Sequence, residues 1–363
     1  MTNITGYVAA GFEPVREAFE QNFADGLELG CGFAAYQGDT LLMHLTGGWA
    51  DRKKTRVWDE RTLVPVYSTT KGIAALVLAR VLHEKFDAPY DMPVAAVWPE
   101  FAAHGKGDLT LGEMLSHQAG LPGFINPIDP DLWFDNRALA AELAATEPMW
   151  TPGDGSGYHP LTWGYLVSEV AIRATGKTCG QLLKEYFTNC DGAIVGEEVI
   201  DFWLGTPASE HDRCAEIKRP TAPPDLGELS DYKKAAFLTK WSAPNRGGAE
   251  WRETEIPSAN GHGTAKAVAR LYGLYANNGA IGGKQIVSDT AYNNLIKRQC
   301  KGDDRVLPFN MEFAAGVMRN SNKIYGPNVN TLAHAGWGGS FGLGDPDRGL
   351  SAAYVMNRQT NAL

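Results

Sequence analysis

The sequence predicts an α+β fold in which a sheet formed by both ends of the chain is interrupted by a helical region. Residues 32–49 and the last sixty residues carry strand patterns, whereas helical patterns dominate from about 69 to 190. A chain of 363 residues is long enough for a large core and two lobes. We therefore expect a sheet domain built from 1–75 and 255–363, and a mainly helical domain at 76–254.

The first elements follow from short-range patterns. Residues 10–26 place Phe19 and Phe23 on one face, as an amphipathic helix does. The segment 32–49 is divided by the turn signal Gln37-Gly-Asp39. This division predicts two strands joined by a tight turn.

The later elements are separated by loops rich in proline and glycine. Two such loops, at 120–130 and 151–160, divide the helical region. The polar, proline-rich segment at about 205–260 is too long for a simple connection, so we expect an excursion over the functional site. Helical periodicity resumes over 264–279, and a strand pattern follows at 350–356.

Charge and composition exclude several classes of partner. The net charge of −9 and the pI near 5.4 argue against nucleic acid or an anionic membrane. No apolar run is long enough to span a membrane, and the N-terminus lacks the features of a signal peptide, so we expect a cytoplasmic protein. Scattered cysteines and the absence of H-E-x-x-H indicate free thiols, with no disulfide framework, zinc site or other cofactor. The cysteines are Cys31, Cys179, Cys190, Cys214 and Cys300.

A serine and a lysine stand three residues apart at the start of a long apolar segment. Ser68 and Lys71 precede Ile73-Ala-Ala-Leu-Val-Leu-Ala79, which predicts a buried helix. On one helical face the amine can take the proton of the hydroxyl and make it a nucleophile. Backbone N–H groups at the start of the helix can stabilise an oxyanion. The alternative for Ser68 is a helix N-cap.

Two other serines match catalytic patterns but fit other roles. Ser230 and Lys233 repeat the spacing in a polar segment that enters a helix, so we expect Ser230 to cap that helix. Gly338-Gly-Ser-Phe-Gly342 matches the nucleophile elbow of α/β-hydrolases, which requires a later histidine and a following helix. No histidine follows Ser340, and 343–349 has the composition of a turn, so we reject Ser340 as nucleophile.

A tyrosine beside the serine–lysine pair would complete proton transfer. An unperturbed lysine is neutral only about once in 2500 at pH 7, and a neighbouring phenol can share its proton. Tyr158 is the best candidate, because it ends the glycine-rich loop that precedes a helical pattern. The alternative is an aromatic residue packed at a helix start.

The third segment of interest is rich in glycine. Residues 332–344 contain five glycines, which let a strand edge approach a substrate closely; the alternative is a bulged edge strand. These glycines are Gly336, Gly338, Gly339, Gly342 and Gly344. His334 can bind an acyl oxygen or a carboxylate, or can be a structural histidine.

Three motifs together resemble those of class C β-lactamases and related penicillin-binding proteins. They are Ser68-Thr-Thr-Lys71, Tyr158-His-Pro160 and His334-Ala-Gly336. The sequence is most similar to the serine esterases of that group, the family VIII carboxylesterases. Further stretches resemble the same family: 109–122, 260–265 and 345–357. The resemblance implies a β-lactamase-like fold, with a mainly antiparallel sheet flanked by helices, an all-helical domain and a site between them.

The resemblance also implies a role for each motif. Ser68 would be the acylated nucleophile, and Lys71 would assist its deprotonation. Tyr158 would be the base in acylation and would activate water in deacylation. The backbone N–H groups of Ser68 and Trp337 would form the oxyanion hole. Three residues would bind the substrate: His334, Gly336 and Gly338.

Two departures from the family pattern favour an esterase over a β-lactamase. Class C β-lactamases have lysine at the position of His334 and asparagine at the position of Pro160. Each charge-assisted hydrogen bond that is lost costs roughly 1.5–3 kcal/mol of β-lactam binding, whereas an uncharged ester needs neither group. We expect hydrolysis of small, short-acyl esters. The alternatives are a β-lactamase, a D-amino-acid peptidase or other amidase, an acyltransferase, and a non-catalytic binding module.

The sequence says less about the pocket. The implied partner is a small-molecule ester. Trp133, Trp150 and Trp163 lie near the predicted site loops and suggest an aromatic wall for the acyl group. Ordinary core packing fits these tryptophans equally well.

Overall fold

The computed structural model describes four stretches of the chain: 3–188, 200–222, 224–244 and 247–361. Cys190 lies outside these stretches, as does the end of the helical region expected at 69–190. The strands, numbered along the chain, are β1 (Ile4–Val8), β2 (Gly30–Gln37), β3 (Thr40–Gly48), β4 (Val64–Pro65), β5 (Phe202–Trp203), β6 (His262–Gly263), β7 (Ala280–Ile281), β8 (Lys284–Gln285), β9 (Cys300–Asp303), β10 (Asn310–Phe313), β11 (Met318–Arg319), β12 (Leu332–Ala335), β13 (Phe341–Asp345) and β14 (Leu350–Met356).

The α-helices alternate with these strands and cluster in the middle of the chain. They are α1 (Glu13–Ala24), α2 (Thr69–His83), α3 (Val94–Val97), α4 (Leu111–Leu115), α5 (Asn136–Ala145), α6 (Thr162–Thr175), α7 (Cys179–Leu183), α8 (Asp231–Lys233), α9 (Ala249–Glu253), α10 (Ala265–Ala276) and α11 (Asp289–Ile296). Short 3-10 helices cover Pro89–Asp91, Pro99–Gly105, Pro130–Phe134 and Ala208–Arg213, and π-helical turns cover Lys184–Thr188 and Lys234–Leu238. No helix in the described stretches is long and apolar enough to cross a membrane.

The main sheet joins the two ends of the chain. Within the described residues it has nine strands in the order β1-β3-β2-β14-β13-β12-β11-β10-β9, all antiparallel. The strands β2 and β14 pair from Cys31↔Met356 to Gln37↔Leu350. Two small sheets, β4-β6-β5 and β7-β8, lie beside it. The predicted α+β fold class is confirmed, and we retain the division into a sheet part and a helical part as a proposal.

Two long helices fix the position of the sheet and of the candidate site. The helix α10 lies on β13 and β14, and Gly342 and Gly344 make this close approach possible. A methyl group at Gly342 would overlap the ring of Tyr272, and one at Gly344 would overlap Tyr275. These two glycines therefore serve helix–sheet packing rather than substrate approach. The helix α2 is buried almost all round, as its apolar sequence predicts, and contacts α6 and β12.

Several elements agree closely with the sequence-based predictions. The N-terminal amphipathic helix is α1, which buries Phe19. The predicted strand pair with its turn at Gln37-Gly-Asp39 is β2 and β3, and the last predicted strand is β14. Ser230 caps α8 by accepting a hydrogen bond from the backbone N–H of Lys233. Free thiols occur at four described positions: Cys31, Cys179, Cys214 and Cys300.

Candidate active site

Ser68 lies at the N-terminus of α2, where the chain turns sharply out of β4. The turn holds Tyr67 at φ +48°, a left-handed conformation that is uncommon for an aromatic residue and costs about 1–3 kcal/mol. Ser68 occupies the N-cap position, but its side chain makes no capping hydrogen bond. The hydroxyl is half-buried and is a hydrogen-bonding partner of Lys71 instead.

Lys71 lies one helical turn further on and is completely buried. Its Nζ is 3.2 Å from the Ser68 Oγ and donates to the carbonyl oxygens of Pro160 (2.8 Å) and Ser258 (3.0 Å). Burial lowers its pKa well below the usual value. No carboxylate in the described part of the chain forms an ion pair with it. These three oxygens, two from carbonyls and one from the Ser68 hydroxyl, match the three hydrogen bonds that a lysine amine can donate.

Tyr158 completes the group from the loop before α6. Its buried ring lies 4.8 Å from the Lys71 Nζ, measured to the ring centroid. Burial raises the pKa of Tyr158 well above its usual value, and a hydrogen bond with Ser68 offsets this only in part. Ser68, Lys71 and Tyr158 were predicted from separate motifs, and the structure brings their side chains together. Burial thus disfavours both the ammonium form of Lys71 and the phenolate form of Tyr158.

A buried carboxylate holds Tyr158 in place. Asp304 Oδ1 accepts hydrogen bonds from the backbone N–H groups of Tyr158 (2.9 Å), Val306 (2.9 Å) and Leu307 (2.8 Å). Its Oδ2 accepts from the Ser156 hydroxyl at 2.9 Å. Burial raises the pKa of Asp304, and these hydrogen bonds work against that rise. The carboxylate ties the tyrosine loop to the turn between β9 and β10. Sequence reasoning missed this residue.

The turn after β12 packs against the chain on either side of Ser68. Gly336 donates to the Ser340 carbonyl at 2.7 Å, which closes the turn around Trp337. The Ser340 hydroxyl donates to the Val66 carbonyl at 2.8 Å, so this serine ties the turn to the chain just before the nucleophile. Its burial and this bond agree with its rejection as nucleophile. In the described residues, the N–H groups of Ser68 and Trp337 donate to no protein acceptor.

The three expected substrate-binding residues lie in different environments. Gly336 lines the cavity in front of Ser68, but Gly338 packs against Gln359 and does not. His334 is fully buried behind that wall, with its ring centroid 6.1 Å from that of Tyr158. Its Nδ1 donates to the Ala335 carbonyl at 2.7 Å. Burial, followed by the nearby Lys71, lowers the pKa of His334 to about 3, so the ring is neutral.

Two further histidines support the site, and sequence reasoning gave them no role. The ring centroid of His117 lies 4.7 Å from that of Tyr158, and its Nδ1 accepts from the backbone N–H of His159 at 3.1 Å. Burial lowers the pKa of both, that of His159 to about 3. His117 thus places a neutral ring beside Tyr158, and His159 holds the ring of His117. The sequence did contain one indication of their role: both lie in stretches that resemble the family, 109–122 and Tyr158-His-Pro160.

A mainly apolar cavity of about 720 Å³ opens in front of Ser68. Its wall includes Tyr158 and Trp337, and the polar, proline-rich segment contributes residues 219–222, Pro224 and 236–238. The cavity has an aromatic wall, but the sequence-based prediction of which residues form it is wrong. None of the three expected tryptophans lines the cavity: Trp133, Trp150 and Trp163. All three are buried in packing contacts, and the aromatic lining residues are Tyr67, Tyr158, Phe237, Phe309, Tyr325, Trp337 and Phe341.

Comparison with known proteins places this geometry in a family. The family described as Beta-lactamase matches residues 16–362. The chain belongs to the β-lactamase family. The predicted β-lactamase-like fold is thereby confirmed, and the protein is a serine hydrolase of the β-lactamase and penicillin-binding-protein superfamily.

Three relatives show how close the likeness is. A penicillin-binding-protein homolog from Caulobacter crescentus has a TM-score of 0.94 at 47% identity, over 99% of this chain and 95% of that one. A family VIII carboxylesterase has a TM-score of 0.88 at 38% identity, over 99% and 94%. The protein named Esterase/beta-lactamase LipL of Mycobacterium tuberculosis is 32% identical over 97% of this chain and 82% of its own length.

Proposed function

We propose that this β-lactamase-family protein is a carboxylesterase that cleaves uncharged, short-acyl esters through an acyl-enzyme on Ser68. The observation that carries the proposal is the contact of the Ser68 Oγ with the Lys71 Nζ at 3.2 Å, beside a buried phenol. A hydroxyl within reach of a desolvated amine is the arrangement that nucleophilic catalysis needs.

Acylation follows from the protonation states that burial favours. Lys71 takes the Ser68 proton as Oγ attacks the ester carbonyl carbon, and the oxyanion forms beside the N–H groups of Ser68 and Trp337. The bond to the alcohol oxygen then breaks, and that oxygen takes the phenolic proton of Tyr158. The Lys71 ammonium returns a proton to the phenolate, so the proton that left Ser68 is balanced by the one on the alcohol.

In this mechanism Lys71 is the base of acylation and Tyr158 is the proton donor. The family resemblance instead implies that Tyr158 is the base of acylation. The difference has a physical cause. Burial lowers the pKa of Lys71 and raises that of Tyr158, and both shifts favour a proton on the phenol oxygen and a free lone pair on the amine. In deacylation the same pair accepts a proton from the water that attacks the acyl carbon. The bond to the Ser68 oxygen then breaks, the pair returns that proton to the serine oxygen, and the carboxylic acid leaves.

The surroundings of His334 favour an ester over a β-lactam. A neutral, buried histidine supplies no positive charge to hold the carboxylate of a β-lactam drug. Pro160 has no side-chain amide, and its carbonyl is occupied by Lys71. A relative carries the name carboxylesterase, and another carries both activities in its name, so β-lactam hydrolysis is the second candidate.

Steady-state rates separate these candidates. We expect kcat/KM for 4-nitrophenyl acetate and butyrate to exceed that for nitrocefin, and Ser68→Ala to abolish turnover of all three. A fluorophosphonate probe followed by mass spectrometry should place the adduct on Ser68. Faster nitrocefin cleavage would favour the β-lactamase, acyl transfer to an added alcohol would favour an acyltransferase, and a folded protein without adduct would favour a binding module.

A further inference from the structure

The mouth of the active-site cavity is lined by apolar side chains that face water. Three residues that line it are large, apolar and well exposed: Leu238 (44% exposed), Phe309 (44%) and Ile324 (74%). They come from three segments far apart in the sequence, and all share one cavity with Ser68. Exposed apolar side chains that cluster at the mouth of a binding cavity mark a surface that is covered when a ligand binds.

The segments that carry these side chains are held firmly. Asn320 anchors the loop of Ile324, because its Nδ2 donates to the carbonyls of Gly326 and Asn328 at 2.9 Å. Its Oδ1 accepts from the backbone N–H of Tyr325 at 2.9 Å. Ile324 is therefore held at the mouth by a closed loop. A preformed apolar surface binds a ligand without the entropic cost of ordering a loop.

The other two residues lie on segments that contact the site. The Phe309 carbonyl accepts from the backbone N–H of Asp304 at 3.0 Å, in the turn that also anchors Tyr158. Leu238 follows Phe237, whose ring centroid lies 5.7 Å from that of Trp337. The apolar mouth is thus continuous with the residues around Ser68.

We propose that this mouth binds a bulky, uncharged apolar group, such as an aromatic ring, on the alcohol side of the ester. The inference rests on the proposed esterase function and extends it to the leaving group. The cavity of about 720 Å³ falls within the range of roughly 300–1,000 Å³ of pockets that bury drug-sized ligands. A short acyl group fills little of the cavity, so most of the cavity volume is left for the alcohol part of the ester.

Three esters with unactivated leaving groups test the inference: methyl acetate, benzyl acetate and methyl octanoate. Acid release is followed by pH-stat for the wild-type enzyme and for Ile324→Ser. We expect kcat/KM to be highest for benzyl acetate. Ile324→Ser should lower the ratio of benzyl to methyl acetate about fourfold to fifteenfold, as for losing the burial of one or two methylene groups. Val329→Ser is the matched control, since Val329 is 49% exposed on the same loop but does not line the cavity.

The outcomes distinguish this inference from the proposed function. Turnover of methyl acetate without preference for the benzyl ester leaves the esterase standing and overturns the inference. If methyl octanoate alone is preferred, the mouth binds the acyl group rather than the alcohol, and this result also overturns the inference. A benzyl preference that Ile324→Ser leaves intact, or that Val329→Ser lowers equally, removes the role of the mouth. Absence of turnover for all three esters and both nitrophenyl esters removes the esterase and this inference together.

Discussion

Replacing Asp304 by alanine should displace Tyr158 and slow catalysis. The carboxylate accepts four hydrogen bonds, and removal leaves four buried donors without it: the N–H groups of Tyr158, Val306 and Leu307, and the Ser156 hydroxyl. Each unsatisfied buried group costs about 1–3 kcal/mol. At the lower end, the free energy of unfolding falls by about 4 kcal/mol, which leaves many proteins folded.

The effect on catalysis comes from geometry. Without its anchor the loop of Tyr158 relaxes, and a displacement of about 1 Å costs on the order of a hundredfold in rate. The assay is kcat and KM for 4-nitrophenyl acetate, measured at a temperature at which thermal unfolding shows the variant to be folded. We expect kcat to fall much more than KM rises, because Tyr158 acts in the chemical step rather than in ground-state binding.

Two further variants test whether the loss of rate in Asp304→Ala comes from the loss of the hydrogen bonds that position Tyr158. Asp304→Asn keeps an acceptor oxygen for the backbone groups, so it should recover most of the lost rate. Glu255→Ala is the matched control, because this half-buried carboxylate accepts from the Thr178 hydroxyl (2.7 Å) and the Gly180 N–H (2.8 Å) and does not line the cavity. A folded Asp304→Ala enzyme with wild-type kcat, or an equal loss in Glu255→Ala, would refute the positioning role.

Three further predictions concern Tyr158, the carboxyl of Glu28 just before β2, and the turn after β12. Tyr158→Phe should lower kcat by about 10²–10⁴-fold with a smaller change in KM, measured by steady-state kinetics; a wild-type kcat would exclude the phenol as proton donor. Glu28 has its pKa raised to about 7 by burial, so the folded state favours its protonated form, and stability should fall by up to about 3 kcal/mol as pH rises from about 4.5 to 7. Thermal melts across that range should show the fall in the wild type and its loss in Glu28→Gln; identical profiles would contradict the assignment. Gly336→Ala should unfold the turn or inactivate the enzyme, because a methyl group there overlaps the Val66 carbonyl and the Ser340 hydroxyl, and full activity in a stable variant would be incompatible with that packing.

The predictable parts of the molecule are those determined by local periodicity. The helix α2 is apolar on all faces, so its burial could be predicted, and the spacing of Ser68 and Lys71 on it follows from helix geometry. The strand β14 begins and ends at the predicted residues. In each case the signal lies within a few residues of the feature.

The remainder depends on contacts between distant segments. Asp304 accepts a hydrogen bond from the backbone N–H of Tyr158, which is 146 positions away, and nothing in the sequence around Asp304 indicates that partner. Trp133 and Trp163 follow or precede site loops in sequence, yet both side chains point into the core, because proximity along the chain does not determine which face of a helix is turned to the cavity. The protonation of His334 likewise depends on complete burial, which composition does not reveal.

The position of β14 determines when the main sheet can be completed during synthesis of the chain. It is the last strand along the sequence, yet it lies between β2 and β13 in the middle of the sheet. During synthesis at roughly 5–20 residues per second, the hairpin of β2 and β3 waits roughly 15–60 seconds for its neighbour. Throughout that interval one hairpin edge carries unpaired N–H and C=O groups, which other nascent chains can bind. A chain that lacks residues 350–356 therefore leaves the inner edges of β2 and β13 both unpaired, and such edges favour association between chains.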